Sequence, residues 1–453
     1  YTTAPADMQE RRIVIIGGDA AGMSAAGKVR RSDPNASVTV LEKGEWVSYS
    51  ACGLPFFLQR VVPEVGDLVA RTVEEHRTNG VDLRTGHEAI GIDVRRRVVT
   101  AATEDGERTF PYDKLLIATG ARARRPGFAQ TDMFGVHVLR DIPDVLGIRA
   151  HIERSRPRHC VLVGGGYIGI EMAEAARALG LDVTLVDHGG AILKMLDAEI
   201  SSLVASCLEE QGVAVRIDRE VTEILGADAV QGVALADGTN INADIVVVGA
   251  GVEPNAEMAS DAGIALGANG AIRVDAAQRT SQSHVYAAGD CATARHLVLN
   301  RDVHIPLGTT ANRQGRVAGE NLVGGSARFG GVVGTMVCKV FDHAFARTGL
   351  TQGQAEEAGL RARSVQVEAP SRAGYYDNPP TIHARMTFDE RDGRLLGAQL
   401  FGDETVAKRI DVAATALHAR MTVEEFSQLD LSYTPPFSSV WEPLVVAANV
   451  ALR

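Results

Sequence analysis

The chain has 453 residues, of which 45% are hydrophobic, 23% charged and 47 glycine. That length suggests about three domains, and the composition excludes a disordered chain and a coiled coil. A net charge of −11 and 5% aromatic residues leave no global basic field and no stacking platform. Nucleic acid and a membrane are therefore not expected partners, and any anionic ligand needs a local pocket. The five cysteines, Cys52, Cys160, Cys207, Cys291 and Cys338, are scattered without CxxC or CxxxxC spacing. This argues against a disulfide framework and a cysteine zinc site, and no metal site is read. No apolar run reaches the ~18 residues of a membrane span, and residues 1–7 lack the apolar stretch of a leader. A reducing cytoplasm is the expected compartment, with the native start expected to differ from Tyr1.

Two segments repeat one pattern. Residues 11–22 and 159–169 each read as a buried strand running into a glycine turn and then a helix. Each is followed by a second buried strand ending in an acidic residue, Glu42 or Asp187. That is the βαβ order of a dinucleotide fold. Further strands end in Gly120, in the Gly249-Ala250-Gly251 turn, and in Gly289-Asp290. A helix is expected around 193–217, with Leu203 and Leu208 on its apolar side, leading into a strand at 213–217. From about 326 the texture changes: 383–388 and 395–401 read as a hairpin turning at Asp392-Gly393, followed by helices at 404–419 and 422–428. The expected fold class is α/β, with two Rossmann-like dinucleotide-binding domains and a C-terminal α+β domain.

In the second unit, Gly164, Gly166 and Gly169 form the GxGxxG fingerprint, with Asp187 eighteen residues on. The first glycine allows the tight turn and the second lets the backbone approach a pyrophosphate. The third lets helix and strand pack closely. Asp187 is expected to bind a ribose diol and repel a 2′-phosphate, so NADH is preferred over NADPH, which stays possible. In the first unit, Gly17-Gly18-Asp19-Ala20-Ala21-Gly22, Asp19 replaces the second fingerprint glycine, and the alternative is a plain βα turn. Two dinucleotide units need two ligands, and a bound flavin with a diffusing nicotinamide is the usual redox pairing. Between the units lies Ser48-Tyr49-Ser50-Ala51-Cys52-Gly53. Cys52 is either a thiolate steadied by backbone N–H groups at a helix start or a buried core cysteine.

The order of these motifs, with Ala118-Thr119-Gly120 and Ala288-Gly289-Asp290, resembles the flavin-dependent pyridine nucleotide–disulfide oxidoreductases. More narrowly it resembles their single-cysteine branch. The Ser-x-x-x-Cys-Gly signature at 48–53 and the Tyr433-Thr434-Pro435-Pro436 segment look most like the coenzyme A-disulfide reductases. The resemblance implies FAD held over 1–119 and 251–325, NAD(P)H held over 120–250, and a dimerisation domain over 326–453. It implies a homodimer that reduces a low-molecular-weight disulfide, most simply coenzyme A disulfide. NADH oxidase, peroxidase or persulfide reductase activity is the alternative on the same scaffold.

The resemblance also implies roles. Cys52 is the redox cysteine, and Tyr433 with Tyr375 or Tyr376 reaches the neighbouring subunit's site. FAD contacts fall to Gly17, Asp19, Ala20, Ala21, Gly22, Glu42, Lys43, Ser48, Ala118, Thr119, Gly120, Gly289, Asp290, Thr309, Thr310 and Ala311. Nicotinamide-cofactor contacts fall to Gly164, Gly166, Tyr167, Ile168, Gly169, Glu171, Asp187 and Gly251. Tyr167 covers the flavin until the nicotinamide arrives. Coenzyme A falls to Lys28, Arg31, Ser48 and Arg71; the alternative for Lys28 and Arg31 is a solvated helix end. Three departures stand out. There is no second redox cysteine, the first glycine loop lacks the histidine of the peroxidases, and Ala51 replaces an asparagine common before the cysteine. No sulfurtransferase domain is expected after Arg453.

Overall fold

A computed structural model describes residues 11–453; the segment read for a leader, 1–7, and Tyr1 lie outside them. Four of the five residues of Arg12–Ile16 are buried, and they are β-branched aliphatics, which suit the centre of a parallel sheet. This strand pairs in parallel with Ser37–Leu41 on one side and Lys114–Ile117 on the other. Asp82–Arg84 and Val285–Ala287 complete five strands. The helix Ala20–Ser32 follows the first strand and buries Ala21, Gly22, Met23, Ala25, Ala26 and Val29. Its small residues let Gly308–Leu322 lie almost backbone to backbone against it: a Cβ at Gly315 would sit 2.2 Å from the Ala21 carbonyl oxygen.

The second unit repeats this plan. The all-parallel sheet runs in the order Val213–Arg216, Asp182–Val186, His159–Val163, Ile245–Val248, Val136–Val138. The helix expected around 193–217 is Ala198–Glu210. Its N-cap is Asp197, whose side chain does not cap the helix. The Asp197 carboxylate pairs with Arg385 at 3.0 Å and accepts from Gln399 Nε2 at 2.5 Å, fixing the helix start to the C-terminal sheet. Two three-stranded antiparallel sheets, over 88–111 and 221–242, were not read in the sequence.

The expected hairpin is present as Thr381–Asp389 and Leu395–Gly402, inside a five-stranded antiparallel sheet with Met336–Val340, His343–Gly349 and Ala362–Pro370. Leu395–Gly402 is buried throughout, because Val406–Ala419 packs against it. Pro443–Ala451 covers the sheet's outer strands. Among the described residues, no helix is long and apolar enough to cross a membrane.

Candidate active site

The two glycine turns are the same device built twice. Gly17 and Gly164 have φ of +110° and +113°, a region that strongly favours glycine. A Cβ at Gly17 would lie 2.2 Å from the Ala118 carbonyl oxygen, and one at Gly164 would lie 2.4 Å from that of Gly249. A Cβ at Gly22 or Gly169 would lie 1.9 or 2.1 Å from the carbonyl oxygen of the first glycine of its own turn. The middle positions differ. Gly166 opens onto free space. Asp19 is accommodated because its side chain turns aside and accepts the Tyr49 N–H at 3.1 Å. Burial pushes the Asp19 carboxyl up to about 6, with the Tyr49 N–H opposing and Glu42 adding to the rise.

The acidic residues also match. Glu42 accepts from Gly18 N and Gly44 N, both at 2.8 Å. Asp187 accepts from Gly165 N and Gly189 N, both at 2.7 Å. Each carboxylate thus braces its own glycine turn. Around Asp187, however, the rim is cationic. Lys194 Nζ lies 3.7 Å from its carboxylate and 3.0 Å from His188 Nε2, and Arg219 lines the same cavity. Asp187 therefore faces the cavity together with basic side chains.

Each turn opens into a cavity. One, of about 480 Å³, is lined by Gly17, Asp19, Glu42, Lys43, Ala118, Thr119 and Gly120, with Ala51 from the cysteine segment. The other, of about 620 Å³, is lined by Gly164, Gly166, Tyr167, Ile168, Asp187 and Gly251. Thr309, Thr310 and Ala311 form the first turn of Gly308–Leu322. Gly289 donates its N–H to Gln314 of that helix at 2.9 Å. Around this cavity the packing is tight: a Cβ at Gly289 would lie 2.9 Å from the Ala21 Cβ.

Cys52 sits in the 3₁₀ turn Ala51–Gly53, which runs directly into the helix Leu54–Leu58. The residue is exposed, yet its thiol is pushed up, first by burial among the surrounding walls and then by Glu171 and Asp290. Arg140 and the Cys52 backbone N–H act in the opposite direction. Arg140 carries no motif, and sequence reading passed over it. It sits just before Ile142–Ser155, pairs with Asp290 at 2.8 Å and donates from Nε to Ala121 O at 2.9 Å. Asp290, expected to face the flavin chain, is thereby also the anchor of a cation that favours the Cys52 thiolate.

Glu171 lies on the helix Tyr167–Ala178, and burial, reinforced by Glu174, pushes its carboxyl up to about 7. The Cys338 thiol approaches it at 3.9 Å, and burial and Glu171 push that thiol up in turn. Glu174 pairs with Lys339 and accepts from Phe341 N at 3.0 Å, tying this helix to the C-terminal sheet. Cys160, Cys207, Cys291 and Cys338 are all buried, as structural cysteines are.

A third cavity, of about 370 Å³, adjoins the cysteine segment. It is lined by Ser48, Tyr49 and Ser50, with Arg31, Arg71, Arg316 and His76, and Asp19 is its one carboxylate. Of the four residues expected to hold an anionic thiol, Arg31, Ser48 and Arg71 meet here. Lys28 does not: it pairs with Glu320 at 2.5 Å, across the helix–helix contact. Arg316, which the sequence reading missed, faces the cavity from Gly308–Leu322. Tyr375, Tyr376 and Tyr433 stand on the C-terminal surface, exposed alongside Phe437, Val440 and Trp441.

Residues 11–315 match the family model for pyridine nucleotide-disulphide oxidoreductases, and residues 335–444 match that family's dimerisation domain. The chain belongs to this family of FAD-dependent enzymes that use NAD(P)H. It is 38% identical to the NAD(P)H sulfur oxidoreductase (CoA-dependent) of Pyrococcus abyssi, over 97% of this chain and 98% of the relative. It is 30% identical to the coenzyme A disulfide reductase of Staphylococcus haemolyticus, over 94% and 96%. Among solved structures, an NAD-dependent persulfide reductase from A. fulgidus superposes with a TM-score of 0.95 at 38% identity. That match covers 97% of this chain and 83% of the other.

Proposed function

We propose that this protein uses NADH or NADPH to reduce an anionic low-molecular-weight disulfide or persulfide of the coenzyme A type, through Cys52. The observation that carries this reading is the cavity lined by Ser48, Tyr49 and Ser50, just before Cys52 in the chain, and walled by Arg31, Arg71 and Arg316 on a chain of net charge −11; we refer to it as the arginine-walled channel. Such a local cationic wall suits the phosphates of a coenzyme A thiol. The two glycine turns fit the cofactors, because each runs from strand to helix beside a cavity, admits no Cβ at its first and last glycine and is braced by a carboxylate. FAD falls to Gly17, Gly18, Glu42, Lys43, Thr119, Gly120 and the N-terminus of Gly308–Leu322. NAD(P)H falls to Gly164, Gly166, Ile168, Asp187 and Gly251, with Tyr167 between the two. When bound, the flavin supplies two-electron transfer between the nicotinamide and sulfur.

The chain's own residues do the rest. Cys52 acts as thiolate and keeps one half of the substrate as a mixed disulfide while the other half leaves as a thiolate. One cysteine suffices because the substrate brings the second sulfur. Arg140 favours the thiolate, and Asp290 holds Arg140 in place. Tyr433, with Tyr375 beside it, reaches the site of a second copy and donates a proton to the leaving thiolate. Lys194 and His188 offset Asp187 at a 2′-phosphate, so both nicotinamide cofactors are used.

Persulfide reduction is the second reading. It is favoured by the higher identity to the Pyrococcus abyssi and A. fulgidus proteins than to the disulfide reductase. An oxidase reading is disfavoured by Ala20 and Ala21 in the loop that holds a histidine in the peroxidases. Five free cysteines fit a reducing cytoplasm. The deciding experiment is mass spectrometry of Cys52 after incubation with coenzyme A disulfide, alongside steady-state turnover with each cofactor. A coenzyme A adduct is expected on Cys52. Cys52→Ser is expected to stay yellow and lose turnover, and Lys194→Ala to lose kcat/KM for NADPH more than for NADH. Undiminished turnover in Cys52→Ser refutes the assignment.

A further inference from the structure

We infer that His76 is a positioning residue for the thiol half of the reaction and acts through Ser48; this rests on the proposed use of the arginine-walled channel by an anionic disulfide. Ser48 is a non-glycine residue at φ +48°. Such a conformation persists only where the surroundings over-determine it, and it clusters at functional sites. Two backbone bonds hold it here, and a third bond holds its side chain. The Ser48 N–H donates to Gly18 O at 3.0 Å, and the Ser48 carbonyl accepts from Ala70 N at 2.8 Å. The Ser48 hydroxyl lies 2.8 Å from His76 Nε2.

These bonds are not equivalent. The first two are backbone to backbone, so they set the turn whatever side chain stands at 48. The third requires a hydroxyl at 48 and an imidazole at 76. It adds nothing to a turn already fixed; what it fixes is the hydroxyl itself, which otherwise rotates to suit its surroundings. That hydroxyl lies on the channel wall four residues before Cys52, and His76, Arg71 and Arg31 line the same channel.

His76 is well placed to act as a fixed partner. It lies on Val73–Thr78, whose first turn is closed by a capping box between Thr72 and Glu75. Its ring is buried. Burial and the Arg71 charge hold it below the usual histidine range, with Glu75 opposing, so it stays neutral at neutral pH. A disulfide whose phosphates lie among the arginines meets Ser48 in the same cavity. The His76–Ser48 bond presents it with one pre-set hydroxyl, and the gain is one of orientation.

The test separates the two half-reactions of the flavin-loaded enzyme by stopped flow: reduction by NADPH, then reoxidation by coenzyme A disulfide. His76→Leu is expected to slow reoxidation about tenfold, the scale of one lost hydrogen bond, and to leave reduction by NADPH unchanged. His76→Gln, whose amide nitrogen reaches the same place, is expected to recover most of the rate. Ser48→Ala should slow reoxidation as much as His76→Leu does, and the double variant should reoxidise no more slowly than either. Unchanged reoxidation in Ser48→Ala, a Gln variant no better than Leu, or additive losses in the double variant overturn the role. Should His76→Leu fail to fold, Ser48→Ala and His76→Gln still decide. If coenzyme A disulfide does not reoxidise the wild-type enzyme, the proposed function fails instead. The same variants then test His76 with 2,2′-dithiodipyridine as oxidant.

Discussion

Cys52, the proposed reactive sulfur, sits in an environment that taken alone discourages its thiolate. Burial, Glu171 and Asp290 all push the thiol up, and Arg140 opposes them. The balance turns on Glu171, because its own carboxyl is pushed up to about 7 and so changes charge in the working range. The sign of the effect on stability follows from linkage. The folded chain keeps a proton on Glu171 between its ordinary carboxyl range and about 7, where the unfolded chain has lost it. The stabilisation is complete below the ordinary range and is lost as pH rises through about 7. Glu171→Gln mimics the protonated form. It is expected to flatten the fall in Tm between pH 5 and pH 8 relative to wild type and to remove an inflection near 7 from the rate of flavin reduction by NADPH. A variant retaining both wild-type slopes would show that Glu171 is not the titrating group. Cys52 itself was legible from its Ser-x-x-x-Cys-Gly setting. Its controlling charges were not, since Arg140 and Asp290 are 150 residues apart and meet only across the fold.

At the scale of elements, the two strand–turn–helix units were legible because their requirement is local. A chain that leaves a buried strand and at once starts a helix over the same strand needs a positive φ and then a missing side chain, and only glycine supplies both. Gly22 is the sharper case, as its added Cβ would meet a backbone oxygen that cannot yield. Gly22→Ala is expected to move Ala20–Ser32 off the sheet at an overpacking cost of about 1–3 kcal/mol. The purified variant should lose bound flavin, read as the ratio of 450 to 280 nm absorbance, while the second unit still binds NADH. Full flavin occupancy would refute the close-packing account. Lys28 shows the limit of local reading. Its spacing from Arg31 places both on one side of the helix, but the contact with Gly308–Leu322 claims Lys28 for Glu320, and Arg316 of that helix joins the channel.

On the scale of the whole molecule, the C-terminal surface leaves Tyr375 78%, Phe437 74% and Trp441 63% exposed. Exposed large aromatics of that kind suit an interaction face, and their position in the matched dimerisation domain fits a second copy. The enzyme is expected to sediment as a dimer, and Tyr433→Phe to slow reoxidation by the disulfide while sparing flavin reduction by the nicotinamide. Equal slowing of both steps would argue for a packing role alone. The amino-acid sequence by itself determined the two glycine turns, their acidic partners, the lone-cysteine segment at 48–53 and the change of architecture after 326, because each is written in neighbouring residues and in hydrophobic period. Only the tertiary structure decided that Lys194 sits at Asp187, that His76 holds Ser48, that Cys338 lies against Glu171 and that Arg316 replaces Lys28 in the channel. Those pairings join side chains from separate elements, and which faces meet is set by packing between sheets and helices, a quantity that no local spacing records.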